Sequence, residues 1–350
     1  MTLRPASGRL ALAVGAGTLT VALAACGASN NNASGSGASA SGSAKSGKVA
    51  AVIKGLDNPF FQTMEAGIKE QAGSSSANVT IQAANSITDT SGQADKLAGL
   101  AGQDYKCFIV NPISGTNLVQ GIAQIAAKGV PIVNIDSPVE ADAAKAANAK
   151  IATYIGTDNV EAGKLAGQQM AKLLPQGGKV ALVGGISGDV TSNARLEGFK
   201  QGIPGNVNIV QTVAADWDRQ TALTKATDIL RANPDLKGFF VANDDMGLGV
   251  VRAVANAGKA GSVKVISVDG NKDAFESIKA GQLDATVAQY PYVIGAMGLE
   301  ACQAAMAGKT LPASVKAPVQ VVTKDNVAGA LAKAPKPGES YDDPFAALLK

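Results

Sequence analysis

The sequence predicts an α/β protein built from two doubly wound, Rossmann-like parallel-sheet lobes in succession. Short apolar runs alternate with helix-length segments, the order that gives parallel strands joined by crossover helices. The alternation comes as two series that meet near Ile155–Asp158. In both series several of the apolar runs are followed by Asp, Asn or Gln, which gathers hydrogen-bonding side chains at one edge of each sheet.

The elements follow in order. Arg4 and Arg9 precede an uncharged, mostly apolar run from Leu10 to Ala25 that closes on Leu23-Ala-Ala-Cys26. A basic flank, a short apolar stretch and small residues at its end describe a secretory signal over residues 1–25, too short for an ordinary spanning helix. The "LAAC" stretch resembles a bacterial lipobox, which implies cleavage before Cys26 and a lipid on its thiol. Residues 26–47 then read as lipidated Cys26 and a Ser/Gly/Ala/Asn tether with nothing to bury. The first series has strand candidates at Val49–Ile53, Val79–Ala83, Cys107–Val110 and Pro131–Ile135. Asp158 is a suitable N-cap for the helix that follows, whose Leu165, Ala166, Met170, Leu173 and Leu174 share a face. The second series has strand candidates at Val180–Val183, Val207–Val213, Gly238–Val241, Val263–Val268 and Ala285–Ala288.

Composition narrows the function classes. The 350-residue chain is 46% hydrophobic with a formal charge of +3, and it has no basic block that would argue for nucleic acid. Histidine is absent from the sequence, which removes Ser–His and Cys–His nucleophile pairs and the usual histidine-rich zinc sites. Cys107 and Cys302 are too few and too far apart for a local zinc motif. In an oxidising compartment they form one disulfide, or else they remain two buried thiols. "GGIS" lacks the spacing of a phosphate loop, and "NDDMG" lacks that of a calcium loop.

Ligands of open parallel sheets bind beyond the carboxyl ends of the strands. There the sequence places Asn111, Asp136, Asp269 and Gln289 directly after apolar runs, with Asn243 just beyond another. Carboxylates accept and amides both donate and accept, which suits neighbouring hydroxyl groups. Arg195 adds a forked donor. Any one of these residues is ordinary as a turn or cap; the repetition favours a site. Aromatics are scarce, yet Phe60-Phe61 follows the first strand and the only tryptophan, Trp217, follows a strand of the second series. The C–H face of a sugar ring packs on such planes, although a phenylalanine there also serves simply to staple a helix to its sheet.

The stretches "LDNPFF", "VNP", "NIDSP", "GTDN", "ARLEGF", "ADWDR", "ANDDMGLG", "VDGN" and "AQYP" resemble, in order and rough spacing, the ribose-binding-protein-like solute receptors of bacterial ABC transporters. The resemblance covers about Lys48 to Val327. It implies sugar contacts from Asn58, Phe60, Phe61, Asn111 and Asp136 in the first lobe. From the second it implies Arg195, Trp217, Asn243, Asp269 and Gln289, with the ring between the phenylalanines and Trp217. It also implies a three-segment hinge near Thr157, Gln289 and Gln320, a first lobe of residues 48–156 plus 290–319 and a second of 157–289 plus 320–332. Cys302 then shares a lobe with Cys107, which keeps the disulfide open. Two positions depart from the ribose receptor: Ser137 stands in place of an arginine, and Val268 in place of a phenylalanine.

The function this implies is capture of a small neutral monosaccharide or polyol by a monomeric, lipid-anchored extracytoplasmic receptor that serves a membrane permease, with no cofactor, metal or catalysis. A receptor for a furanosyl signal is the nearest rival. A secreted glycosidase using Asp136 and Asp269, and a repressor of the same core, rank below it, because the sequence offers amides and aromatics rather than room for chemistry, and no DNA-binding headpiece. Residues 333–350 read as an exposed extension, with docking of "PFAALLK" on a lobe as the alternative.

Overall fold

A computed structural model describes residues 47–350; the expected signal, Cys26 and most of the tether lie outside the described residues. The first lobe runs β1 (Val49–Ile53), α1 (Pro59–Ser75), β2 (Val79–Ala83), α2 (Thr90–Ala101), β3 (Cys107–Val110), α3 (Val119–Ala126), β4 (Ile132–Ile135), α4 (Ala141–Ala146) and β5 (Thr153–Gly156). The second runs α5 (Asn159–Leu173), β6 (Gly178–Gly184), α6 (Val190–Gly202), β7 (Val207–Ala214), α7 (Arg219–Ala232), β8 (Gly238–Val241), α8 (Asp244–Asn256), β9 (Lys264–Asp269), α9 (Lys272–Lys279) and β10 (Ala285–Gln289). After these come α10 (Pro291–Met306), β11 (Ser314–Lys316), β12 (Val319–Thr323), α11 (Val327–Lys333) and α12 (Pro344–Leu348).

Each lobe holds a six-stranded sheet, ordered β11-β5-β4-β3-β1-β2 in the first and β12-β10-β9-β8-β6-β7 in the second. All pairings are parallel except β12 on β10. Helices cover both faces, so central strands read as unbroken apolar runs. Within β1 the pleat still sorts the residues: Val49, Ala51 and Ile53 join one core cluster, while Ala50 and Val52 join another. Each sheet reverses its winding at its first strand in chain order, β1 in one lobe and β6 in the other, each lying one strand in from an edge, and the site residues gather beyond the carboxyl ends of the strands.

Three connections cross between the sheets: β5 to α5, β10 to α10, and β11 to β12. The last differs from the expected boundary. Ala317 makes the final bond of the first sheet, its N–H donating to Gly156 O at 2.9 Å. Pro318 has no amide hydrogen to continue the ladder, and Val319, expected in the first lobe, pairs with Gln289 in the second sheet. β5 and β11 complete the first sheet beyond the expected strands. β11 gave little signal because it is a short, largely exposed edge strand ending in lysine.

The tail also differs from a free extension. Phe345 on α12 is fully buried, and α12 packs on α10 of the first lobe. Sequence alone left docking open because α12 is one turn and a half with a single large apolar anchor.

Cys107 on β3 and Cys302 on α10 are joined by a disulfide with Cα atoms 5.6 Å apart, across 195 residues of sequence. The bond fixes the returning helix α10 to the sheet it covers. Closing so long a loop restricts the unfolded chain strongly, and such bonds contribute about 2–4 kcal/mol. The double variant Cys107→Ser/Cys302→Ser is expected to lose about that much stability in urea unfolding, with the folded far-UV spectrum unchanged; an unaltered midpoint would show that α10 is held by packing alone.

Candidate functional site

The first-lobe contribution starts where β1 ends. Lys54 follows directly, and Asn58 caps α1 by accepting from the Phe60 N–H at 2.9 Å. Pro59 occupies the first helical position, where no amide hydrogen is required. Because the cap uses the Asn58 Oδ1, the amide NH₂ is the end left for a ligand. Asn243 does the same in the second lobe, accepting from Met246 N–H at 3.0 Å as the cap of α8. Capping and ligand binding are therefore compatible roles for one side chain.

These elements enclose a cavity of about 60 Å³ between the lobes. Its first-lobe wall carries Lys54, Asn58, Phe60, Phe61, Ile87, Ile113, Asp136 and Ser137. Its second-lobe wall carries Ile186, Asp189, Thr191, Arg195, Trp217, Asn243 and Asp269. Asn58, Phe60, Phe61, Arg195 and Asp269 are each less than a tenth exposed, so the two walls have closed on one another.

The aromatic surfaces are set by backbone. Phe60 and Phe61 meet edge to face, 5.2 Å between centroids at 76°, and present two differently oriented planes. Trp217 lies against Gly185 at the end of β6, where a Cβ would come 2.1 Å from the indole. No larger residue fits there. Asp216 and Trp217 both have left-handed φ, 53° and 61°, and Asp136 has φ 61°. Asp269 is further from ordinary geometry, at φ 141°. Such conformations cost on the order of 1–3 kcal/mol each and concentrate at functional sites.

The polar groups form two linked sets. In the first lobe Lys54 Nζ donates to Ser137 Oγ at 2.7 Å, stands 3.9 Å from Asp136 Oδ2 and lies 5.3 Å from the Phe61 centroid. In the second, Arg195 donates through Nη1 to Ala242 O at 2.7 Å and to Asp269 Oδ1 at 3.3 Å, and through Nε to Asn159 Oδ1 at 2.8 Å. Its guanidinium carbon is 5.9 Å from the Trp217 centroid. α6 can bring Arg195 this far in because α5 and α6 touch through glycines: a Cβ on Gly163 would lie 2.0 Å from Arg195 O. Gln289 Nε2 also donates to Asp269 Oδ1, at 2.8 Å.

Burial is the largest influence on the carboxyls. It raises Asp136 against the pull of Lys54 and Arg195, and it pushes Asp269 up to about 8 against Arg195, with Asp244 and Asp136 adding repulsion. Asp244, fully buried behind the site, is pushed up to about 6 by burial despite hydroxyl bonds from Ser267 and Thr286. Its Oδ2 accepts from the Gly270 and Asn271 N–H groups, both at 2.7 Å, and so anchors the turn that follows Asp269.

Of the sequence-predicted residues, Asn58, Phe60, Phe61, Asp136, Ser137, Arg195, Trp217, Asn243 and Asp269 meet at the cavity. Asn111, Thr157 and Gln289 are buried outside the cavity lining, and each has a side-chain oxygen without a hydrogen-bond partner. Val268 is a correction: it packs in the core with Leu182, Phe240 and Val287. Strand alternation explains this, since Ser267 on the opposite face is bonded to Asp244, and Asp269 reaches the cleft only through its unusual φ. Lys54, Ile87, Ile113, Ile186, Asp189 and Thr191 were missed. Lys54 was legible as the residue directly after the first strand; the isoleucines read as core. Among the described residues there is no cluster of three or more metal-ligating side chains, and no helix long and apolar enough to cross a membrane.

The raised carboxyls set a pH dependence. Asp269 titrates near 3.9 when unfolded and at about 8 here, so the folded chain holds the extra proton between those values. Stability is then fully present below pH ~4 and falls as pH rises toward 8; Asp136 and Asp244 act in the same direction. The melting temperature of the unliganded protein is expected to drop from pH 5 to pH 8, and Asp269→Asn is expected to flatten the drop. A variant profile parallel to the wild type would remove Asp269 as a source.

The profile of the family described as "Periplasmic binding protein domain" matches residues 49–310. The chain is 39% identical over 273 residues to the D-allose-binding periplasmic protein of Escherichia coli (strain K12), covering 76% of this chain and 87% of that one. It is 33% identical over 280 residues to the ribose import binding protein RbsB of Bacillus subtilis (strain 168), covering 80% and 88%. A solved ABC transporter periplasmic solute binding protein from Actinobacillus succinogenes 130z with bound D-allose superposes with a TM-score of 0.76 at 29% identity, covering 81% of this chain and 99% of that one.

Proposed function

The chain belongs to the periplasmic binding protein family, and from that premise we propose that it captures one small neutral sugar or similar polyol outside the cytoplasm and delivers it to an ABC import permease. The observation that carries this is the cavity walled by both lobes, with Phe60 and Phe61 on one side and Trp217 on the other. A sugar ring offers two apolar C–H faces and a rim of hydroxyls. The aromatic planes match the faces. Asp136 and Asp269 match hydroxyl donors, and Lys54, Asn58, Arg195 and Asn243 match hydroxyl acceptors.

The ligand works through differential binding. Sugar held by one lobe leaves its remaining hydroxyls facing polar groups of the other, so closure is favoured by contacts that the open form lacks. The hinge consists of the three sheet-to-sheet connections at residues 157–158, 290 and 317–318. Hydroxyls donating to Asp136 and Asp269 also stabilise the ionised carboxylates that burial disfavours. Ser137 takes its place in the wall without an arginine's forked donors, and Lys54, just beyond the carboxyl end of β1, supplies the cation. This fits an aldohexose or aldopentose, and the relatives that bind D-allose and ribose set the first sugars to try. The permease receives the closed form. Cys26 carries the lipid that keeps a monomeric receptor near it, and the bound sugar leaves unchanged because the site is built to hold it.

Isothermal titration against pentoses, hexoses and polyols, D-allose and D-ribose included, is expected to give one-to-one micromolar binding, roughly −8 kcal/mol, for one or a few of them. Heat-free titrations throughout the panel would refute the reading. Trp217→Ala, by removing one face of the clamp, is expected to weaken binding about tenfold, and Asp136→Ala about tenfold to a hundredfold through loss of hydrogen bonds worth about 1.5–3 kcal/mol. Equal affinity in both variants would place the ligand elsewhere.

A further inference from the structure

Residues 333–350 cross between the lobes a fourth time, after the three hinge connections. α11 belongs to the second lobe: it packs on α9 and β12, with Val327 buried there. Three residues past its end, Lys336 is on the first lobe. Its Nζ donates to Glu70 Oε1 on α1 at 2.9 Å and lies 4.9 Å from the Tyr292 ring centroid on α10. Further along, α12 sits on α10 with Phe345 completely buried. Asp343 caps that helix, accepting from the Phe345 and Ala346 N–H groups at 3.1 and 3.0 Å. Glu300 of α10 faces Asp343; burial, with that neighbouring carboxyl, pushes the Glu300 carboxyl up to about 8.

The crossing is beside the site. A groove between the lobes is lined by Pro59 and Thr63 of the first, Gly270 and Phe275 of the second, and Ala334 and Lys336 of the tail. Pro59 and Gly270 adjoin Asn58 and Asp269, which line the sugar cavity.

We infer that residues 334–350 form a strap across the lobe junction that limits how far the cleft opens, with Phe345 as its fixed anchor and Lys336 as the contact made on closure. Reach supplies the limit. Three residues span at most roughly 10 Å, so the end of α11 and the Glu70–Tyr292 patch stay close while Lys336 is docked. The two contacts differ in strength. Lys336 and Glu70 are more than half exposed, and such pairs are weak and screened by salt. Phe345 is sealed in the core. On opening, Lys336 yields first. The slack between Lys336 and α12 then lets α12 hold the segment near its partner, and the contact re-forms as an intramolecular event.

The strap is tested without any sugar, so its outcome is independent of the ligand reading. Spin labels placed on Asp142→Cys in the first lobe and Ser187→Cys in the second, in the full chain with Cys26→Ser, report the interlobe distance by pulsed electron resonance. The expected result is a shift to longer distances in Lys336→Ala and a larger one in Phe345→Ala, and a lengthening in wild type at high salt that Lys336→Ala no longer shows. Lys336 is on the surface, so its variant keeps the comparison valid even if Phe345→Ala loses the fold. Distance distributions of Lys336→Ala and wild type that superimpose at both salt concentrations would overturn the proposal.

Discussion

Two carboxylates from separate lobes brought into one enclosed cavity form the constraint around which the molecule is arranged. Asp136 and Asp269 each stand at the carboxyl end of a parallel strand, and enclosure raises the cost of their charge. Arg195 and Gln289 offset that cost at Asp269, and Lys54 and Ser137 at Asp136. Neither set satisfies its carboxylate completely. A rim of ligand hydroxyls supplies the missing donors, so the same electrostatics that disfavour the empty closed cleft favour the filled one.

The surrounding structure holds this arrangement against strain. Left-handed or rarer backbone occurs at Asp136, Trp217 and Asp269, the residues that present two carboxylates and the indole. Each is braced from behind: Tyr154 donates to Asp136 O at 2.6 Å, Gly185 admits the indole, and Asp244 grips the two amides after Asp269. Asp244 is instructive because its own charge is buried. Four hydrogen bonds to one carboxylate convert a costly group into a rigid post.

The fold was legible where burial on both faces forces continuous apolar strands, as at Val49–Ile53, and where caps such as Asp158 mark helix starts. The site was legible through polar residues at strand ends, a rule that would also have found Lys54. It failed where side-chain direction decides. Val268 and Asp269 are adjacent, and only the pleat together with an uncommon φ places one in the core and the other in the cleft. It failed too for Ile87, Ile113 and Ile186, apolar residues whose lining role depends on the other lobe being near. The tail's docking depended on one buried phenylalanine, Phe345, which leaves no periodic trace.

Closure driven by ligand is the centre of this account, and small-angle X-ray scattering during titration with the best-binding sugar tests it most directly. The account predicts that the radius of gyration falls as sugar saturates the site, and that Asp136→Ala needs a correspondingly higher concentration for the same fall. A radius that stays constant through saturation, with binding confirmed in the same sample, would contradict it.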